Sequence, residues 1–386
     1  MRRGGGALRD LGSSAAPFSP RLLITADAVG GVWSYALDLA RGLIGEGASV
    51  VLAVLGPPPG ARQRAEAAAV AGLRIVDTDL ALEWMAEDAA AVLKAGERLA
   101  ALARAEGADL VHLNSPALAA SGGFTVPVVA ACHSCVASWW EAVRGGPLPP
   151  DLAWRSALVT EGYRAADRLL APSAAFAATT ARLHGLAAPP QVVHNGRARQ
   201  QPARMPAGLP ERFVFAAGRL WDDGKDLRLL DGIAGRLPLP VVTAGPLAGP
   251  QGGAIALPGL HNLGTLDSGQ MAACFEAASL FVSPARYEPF GLAVLEAAQA
   301  GCPLVLSDIA SFREIWGEAA EYVSPGDGDG FVAAIARLLE DPALRRRRGE
   351  AAAARARRYT PAAMARGTQQ IYRAVLAPQA CQEAQA

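Results

Sequence analysis

Lysine is nearly absent: of the 36 basic residues in this 386-residue chain, 34 are arginine, and only Lys94 and Lys225 are lysine. A lysine kept against such a bias asks for a role. Net charge is absent as well, with 36 acidic residues against the 36 basic ones. That removes the broad basic field of a nucleic-acid binder and leaves small acidic ligands to local sites. No run reaches the roughly 18 clean apolar residues of a membrane-spanning helix. Residues 1–20 contain arginine, Gly, Ser and Pro but no apolar core stretch, so they read as a disordered leader and not as a secretion signal. Cysteine is sparse: five residues without a dense framework fit a reducing cytoplasm. Cys132-His133-Ser134-Cys135 has the spacing of half a metal site, but Cys274, Cys302 and Cys381 supply no second pair for a closed zinc centre. A G-x-G-x-x-G motif is also missing, so a nicotinamide-binding fold has little direct support.

What is present is apolar residues, 51% of the chain, enough for more than one core in a length that suggests two or three domains. Residues 21–26 read as a strand, 27–31 as a glycine turn, the segment through Leu43 as a helix and 48–54 as a second strand: a βαβ unit. Short apolar runs at 110–113, 126–131 and 168–173 continue the pattern between Ala-rich helices. A stretch rich in Pro, Gln and Arg over 197–210 looks like a linker, after which strands recur at 213–217, 241–244, 280–283, 303–307 and 321–324. The economical fold is α/β, with two Rossmann-like, doubly wound parallel-sheet domains facing a cleft, at 21–196 and 211–360. Ligands of such sheets lie beyond the carboxyl ends of the strands.

Two segments placed there carry chemistry. In Arg286-Tyr287-Glu288-Pro289-Phe290-Gly291, Pro289 keeps Glu288 out of helical torsions and Gly291 lets the backbone turn. A helix over 292–300 follows, closed by Gly301 and Pro303. Glu296 is its only charge, and a carboxylate among apolar neighbours needs a partner, for which a pair of ligand hydroxyls would serve. The backbone N–H groups of Phe290, Gly291, Leu292 and Ala293 are the free donors of a helix start, suited to a diphosphate. The second segment, Arg219-Leu220-Trp221-Asp222-Asp223-Gly224-Lys225-Asp226, joins a strand to a helix beginning near Asp226, itself a good N-cap. A guanidinium fork and a compact ammonium there suit phosphate oxygens.

The Glu288 to Glu296 spacing with its interposed Pro-Phe-Gly and following Gly301-Cys302-Pro303 resembles the Glu-x7-Glu signature of retaining GT-B glycosyltransferases of family 4. Arg219 and Lys225 match the family's Arg-x5-Lys pair. The resemblance covers about residues 21–378 and is most specific over 213–316. It implies that Glu288 lies by the donor sugar, that Glu296 takes the ribose hydroxyls, and that Arg219 and Lys225 hold the donor diphosphate. It also places the Gly30-Gly31 loop near the donor phosphate from across the cleft, where an ordinary tight turn is the alternative. His133, directly after a strand, would lie beside the reacting sugar or merely cap the strand end. A final helix over 361–378 is implied to cross back to the first domain. The loop over 261–266 would meet the base. Asp226 departs from the family, whose members often carry Asn there, and sets a negative charge close to the diphosphate.

The implied activity is transfer of a sugar from a nucleotide-diphosphate sugar to an acceptor hydroxyl of a glycan, lipid or small molecule, with retention and without a metal or other cofactor. Rival readings are a nucleotide-sugar 2-epimerase on the same fold, which needs acid and base groups on both sides of C2, and a catalytically inactive sugar-nucleotide scaffold. Asp327-Gly328-Asp329 has the D-x-D form of metal-dependent enzymes of another fold, but its glycine-rich surroundings read as a turn and helix cap. Arg345 to Arg348 with Arg355, Arg357 and Arg358 read as a solvated helix face, with peripheral contact to an anionic membrane as the alternative for this cytoplasmic chain. Trp139-Trp140 would stack a sugar or lipid acceptor, or pack between domains.

Overall fold

The computed structural model describes residues 19–250 and 252–377, so most of the expected leader, and Cys381, lie outside the described residues. Seven strands, β1 (Arg21–Asp27), β2 (Ser49–Leu55), β3 (Leu73–Asp77), β4 (Leu110–Leu113), β5 (Val128–Ala131), β6 (Arg168–Ala171) and β7 (Gln191–Val192), form one sheet in the order β3-β2-β1-β4-β5-β6-β7. Six more, β8 (Val214–Ala217), β9 (Val241–Ala244), β10 (His261–Asn262), β11 (Leu280–Ser283), β12 (Leu304–Ser307) and β13 (Glu321–Val323), form a second in the order β10-β9-β8-β11-β12-β13. All pairings between these strands are parallel. Helices therefore cover both faces of each sheet, and central strands such as Leu110–Leu113 and Val241–Ala244 are buried at every residue. Each sheet accordingly separates two hydrophobic clusters, four in all.

The strand order reverses between β1 and β4, in register Leu22 to Leu110, and between β8 and β11, in register Val214 to Leu280. Crevices open at such reversals, beyond the carboxyl ends of the strands. The segments that leave β1, β4, β8 and β11 there contain Asp27 to Gly31, Asn114, Gly218 to Asp226 and Arg286 to Gly291.

The last helix, Pro361–Leu376, starts on a Thr360 side chain that accepts the Ala363 N–H at 3.2 Å. It packs Met364, Ala365, Ile371 and Tyr372 into the core of the first domain, beside Leu39 and Leu43. Tyr372 closes the contact with a 2.7 Å hydrogen bond to His112 Nδ1. The chain thus returns to the first domain.

One local expectation is corrected. Asp226 is not a side-chain cap: it sits at φ 51, ψ 40 before the helix Leu227–Ile233, and its carboxylate accepts from Arg286 Nε at 3.0 Å instead. Asp and Asn enter this left-handed region more readily than other residues with a Cβ, which explains why either suits the position. The charge also has its own counter-ion.

Candidate active site

The loop after β8 is organised by Asp222. Its Oδ1 accepts the Gly224 N–H at 2.9 Å and so caps the short 3-10 turn Asp223–Lys225, while Oδ2 accepts from Arg219 Nη2 at 2.8 Å. Burial works against the charge of Asp222, but Arg219 and Lys225 hold its carboxyl below the usual range. Lys225 Nζ lies 2.5 Å from Glu288 Oε2, both side chains largely buried. The N–H groups of Arg286 and Tyr287 donate to Gly224 O at 2.9 and 3.2 Å, so the glutamate segment and the lysine turn are tied along their backbones.

Gly291 has φ +92, a torsion only glycine adopts at ease, and it turns the chain into the helix Leu292–Gln299. Among the described residues no acceptor lies on the N–H groups of Gly291, Leu292 and Ala293. They remain open donors at the positive end of a helix dipole. Phe290 is core, packed edge-on against Tyr359.

The first domain answers from the opposite side. Asp27 Oδ1 accepts the N–H groups of Val29 and Gly30 at 2.9 and 3.2 Å, bending the loop into the helix Gly31–Gly45. Burial raises the pKa of Asp27, opposed by those amides and by Arg219. A Cβ on Gly30 would stand 3.4 Å from Arg219 Nη1, and one on Gly31 would stand 3.5 Å from Leu292 Cδ1. Two helix N-termini, one from each domain, therefore face each other with Arg219 between them. His133 follows β5; its Nε2 lies 2.8 Å from Asn114 Oδ1, and its ring meets Tyr35 edge-on at 4.4 Å. Asn114 donates its own Nδ2–H to Thr25 O at 2.5 Å, so its oxygen faces the ring and His133 carries its proton on Nε2. Desolvation, helped by nearby His112, pushes the His133 pKa down to about 3 and keeps the ring neutral.

Glu296 departs from expectation. Its partner is Arg197, whose Nε donates to Oε1 at 2.6 Å while Nη1 donates to Asp38 Oδ2 at 3.0 Å, and Asp38 takes Arg41 at 2.7 Å as well. The residues expected to form a linker thus begin as an interdomain bridge, because the partly buried carboxylate finds a cation nearby. Glu296 Oε2 has no partner among the described residues and remains open to a ligand.

Further contacts cross the cleft: Trp139 Nε1 to Asp222 Oδ1 at 2.9 Å, Tyr287 OH to Ser138 Oγ at 2.8 Å, and Ser173 Oγ to Pro289 O at 2.8 Å. Arg144 pairs with Asp223, and Arg62 Nη1 donates to Leu266 O at 2.8 Å, at the end of the loop expected to meet the base. Glu314 accepts the first N–H groups of the helix Ala174–His184, those of Ala174 and Ala175, each at 2.8 Å. Asp222, Asp27, Asn114 and Arg197 escaped the sequence reading. For Arg197 and Asn114 no motif marks the position; Asp222 could have been suspected from its place between Arg219 and Lys225.

The remaining features resolve as local structure. Asp327 caps the helix Gly328–Glu340 through the Gly330 N–H at 2.9 Å, and Asp329 pairs with Arg236 at 2.7 Å. Among the described residues no three His, Cys, Asp or Glu side chains converge as a metal site. Of the C-terminal arginines, Arg345, Arg348 and Arg355 dock on the second domain, which leaves Arg346, Arg347, Arg357 and Arg358 exposed. No helix among the described residues is long and apolar enough to cross a membrane.

Sequence and structure comparisons agree with this fold. The family model described as Glycosyltransferase Family 4 matches residues 29–200, and Glycosyl transferases group 1 matches residues 258–355. Glycogen synthase of Mycobacterium tuberculosis is 30% identical over 294 residues, 70% of this chain and 70% of that protein. Sulfoquinovosyl transferase SQD2 of Arabidopsis thaliana is 27% identical over 278 residues, 65% of this chain and 54% of that protein. Sucrose-phosphate synthase from Thermosynechococcus elongatus superposes with a TM-score of 0.77 at 20% identity, over 93% of this chain and 99% of that one. HepE from Anabaena in complex with UDP-glucose superposes with a TM-score of 0.68 at 17% identity, over 92% and 100%. The chain belongs to the family 4 glycosyltransferases and has their GT-B fold.

Proposed function

We propose that this glycosyltransferase moves a hexose from a nucleoside-diphosphate sugar to an acceptor hydroxyl with retention of configuration and without a metal ion. The observation that carries the reading is the convergence of Arg219, Lys225 and the open N–H groups at 291–293 opposite the Gly30-Gly31 loop. Breaking the glycosyl phosphate bond puts charge on the leaving diphosphate. Two cationic side chains and the facing helix N-termini stabilise that charge as it develops. Lys225 and Glu288 neutralise each other across their 2.5 Å contact. A bound diphosphate would draw off the ammonium and leave Glu288 to orient sugar hydroxyls. Neutral His133, with Nδ1 free to accept, fits a sugar hydroxyl donor on the other side. Glu296 Oε2 fits a ribose hydroxyl, while Oε1 stays on Arg197.

In this reading Glu288 orients sugar hydroxyls once Lys225 turns to the diphosphate, and it is not assigned as a nucleophile. Attack from the same face, with the departing phosphate oxygen taking the acceptor proton, is the mechanism that fits. HepE carries UDP-glucose in its solved complex, which makes a uridine donor the first to try. The test is NMR of the product formed from UDP-, GDP- and ADP-sugars. Transfer or slow hydrolysis that keeps the anomeric configuration of the donor is expected; an inverted anomer, or a 2-epimer of the donor, would overturn the proposal.

A further inference from the structure

We propose that Trp139 and Asp222 form a latch that aligns Arg219 for the diphosphate when the two domains close, which makes Asp222 a positioning residue for transfer. The inference rests on the reading of Arg219 and Lys225 as the diphosphate site. Asp222 is 6% exposed and accepts three N–H donors, and they come from three different parts of the machinery. Gly224 N belongs to the turn that carries Lys225, Arg219 Nη2 to the guanidinium itself, and Trp139 Nε1 to the helix Val136–Val143 of the other domain. One carboxylate thus holds both cations in place and is itself held from across the cleft.

The seat is built for the indole. A Cβ on Gly224 would stand 2.9 Å from Trp139 Nε1 and 3.3 Å from Cδ1, so a larger residue would push the ring away. Arg144 lies over the Trp139 ring, 5.5 Å from its centroid, and pairs with Asp223, which adds a second tie along the same seam. Arg219 is the looser partner, its side chain 42% exposed. With Nη2 on Asp222, its Nη1 faces the Gly30 loop. When the domains part, Asp222 exchanges the indole N–H for water and its low-dielectric surroundings for solvent. A hydrated carboxylate competes poorly for a half-exposed guanidinium, so Arg219 gains freedom. Closure restores the bond and the alignment together.

The test is a double-mutant cycle on the full-length enzyme with the donor it turns over. Trp139→Phe keeps an aromatic ring under Arg144 but removes the N–H. Asp222→Asn keeps an oxygen for Trp139 and Gly224 but presents an amide to Arg219. Trp139→Phe should lower kcat by about tenfold while free nucleoside diphosphate binds within about threefold of wild type, because the latch acts only in the closed state. Asp222→Asn should lower kcat at least as far, and the double variant should be no worse than Asp222→Asn within about threefold. Wild-type kcat in Trp139→Phe, or losses that multiply in the double variant, would overturn the latch. Should Trp139→Phe fail to fold, isosteric Asp222→Asn decides alone, and a kcat within about threefold of wild type overturns the proposal. Lys225→Ala measured alongside separates the two levels. If it too leaves turnover intact, the diphosphate site is misassigned; if it abolishes turnover while Trp139→Phe does not, only the latch falls.

Discussion

Arg197 joins the domains by charge, and its removal has a calculable consequence. The side chain is 13% exposed and divides its donors between Asp38, 2% exposed, and Glu296, 19% exposed. Burial opposes its charge, but the two carboxylates more than compensate and raise its pKa. Arg197→Ala strands both acids. Removing one partner of a buried pair costs about 3–5 kcal/mol when the remaining charge is wholly uncompensated. Here Asp38 retains Arg41 at 2.7 Å, and Glu296 reaches enough solvent to be hydrated. We therefore expect about 2 kcal/mol, below that range. Urea unfolding should show a lower midpoint at unchanged slope. Adding Glu296→Gln to Arg197→Ala should recover part of the loss, because one stranded charge disappears. A loss under about 0.5 kcal/mol for Arg197→Ala, the size of an ordinary surface substitution, would refute the assignment of the bridge as a buried charge network.

The two glutamates should fail differently. Glu288→Gln is expected to act mainly on kcat, and Glu296→Gln to weaken free nucleoside diphosphate by about 1–3 kcal/mol in calorimetry; unchanged affinity in a folded Glu296→Gln would mean that this carboxylate serves only Arg197. Turnover should persist in excess EDTA, since the proposed diphosphate site already supplies side-chain cations and helix amides; loss that Mn²⁺ or Mg²⁺ restores would point to a metal. Burial, opposed by the Asn114 hydrogen bond, pushes the His112 pKa down to about 4, so an unfolded chain takes up a proton near pH 6.5 before the folded one does. This histidine therefore costs stability progressively as pH falls from about 6.5 to about 4. Glu83, pushed up to about 7 by burial against the pull of Arg155, contributes with the opposite sign over much of that window. The ring itself is the clean probe, and its NMR resonances should not titrate between about pH 8 and 5; a midpoint near 6.5 would contradict its burial.

The fold was largely legible because both sheets are parallel and buried on two faces, which leaves central strands as short apolar runs. The runs at 110–113, 241–244 and 280–283 coincide with β4, β9 and β11. No clear apolar run marks the strands β3, β7 and β10. β7 and β10 are two-residue strands, and β3, the outer strand of its sheet, has a weak pattern with no fully buried residue. In the segments proposed to meet the donor, the legible features are local: Pro289 before a left-handed Gly291, and a lysine conspicuous in an arginine-rich chain. The rest depends on contacts distant in sequence. Asp222 meets Trp139 across 83 residues, and Arg197 meets Asp38 across 159. No periodicity or spacing encodes such pairs. The same holds for Glu296, whose need for a partner was visible but whose partner was not.

Lys225→Ala tests the central claim most directly, because a cleft-facing loop lysine contributes little to the core yet faces the expected leaving group. With donor and acceptor saturating, kcat should fall by about 10²-fold or more, the scale of one lost charge stabiliser, in a protein that remains folded. A folded Lys225→Ala enzyme that turns over within about threefold of wild type would contradict the account.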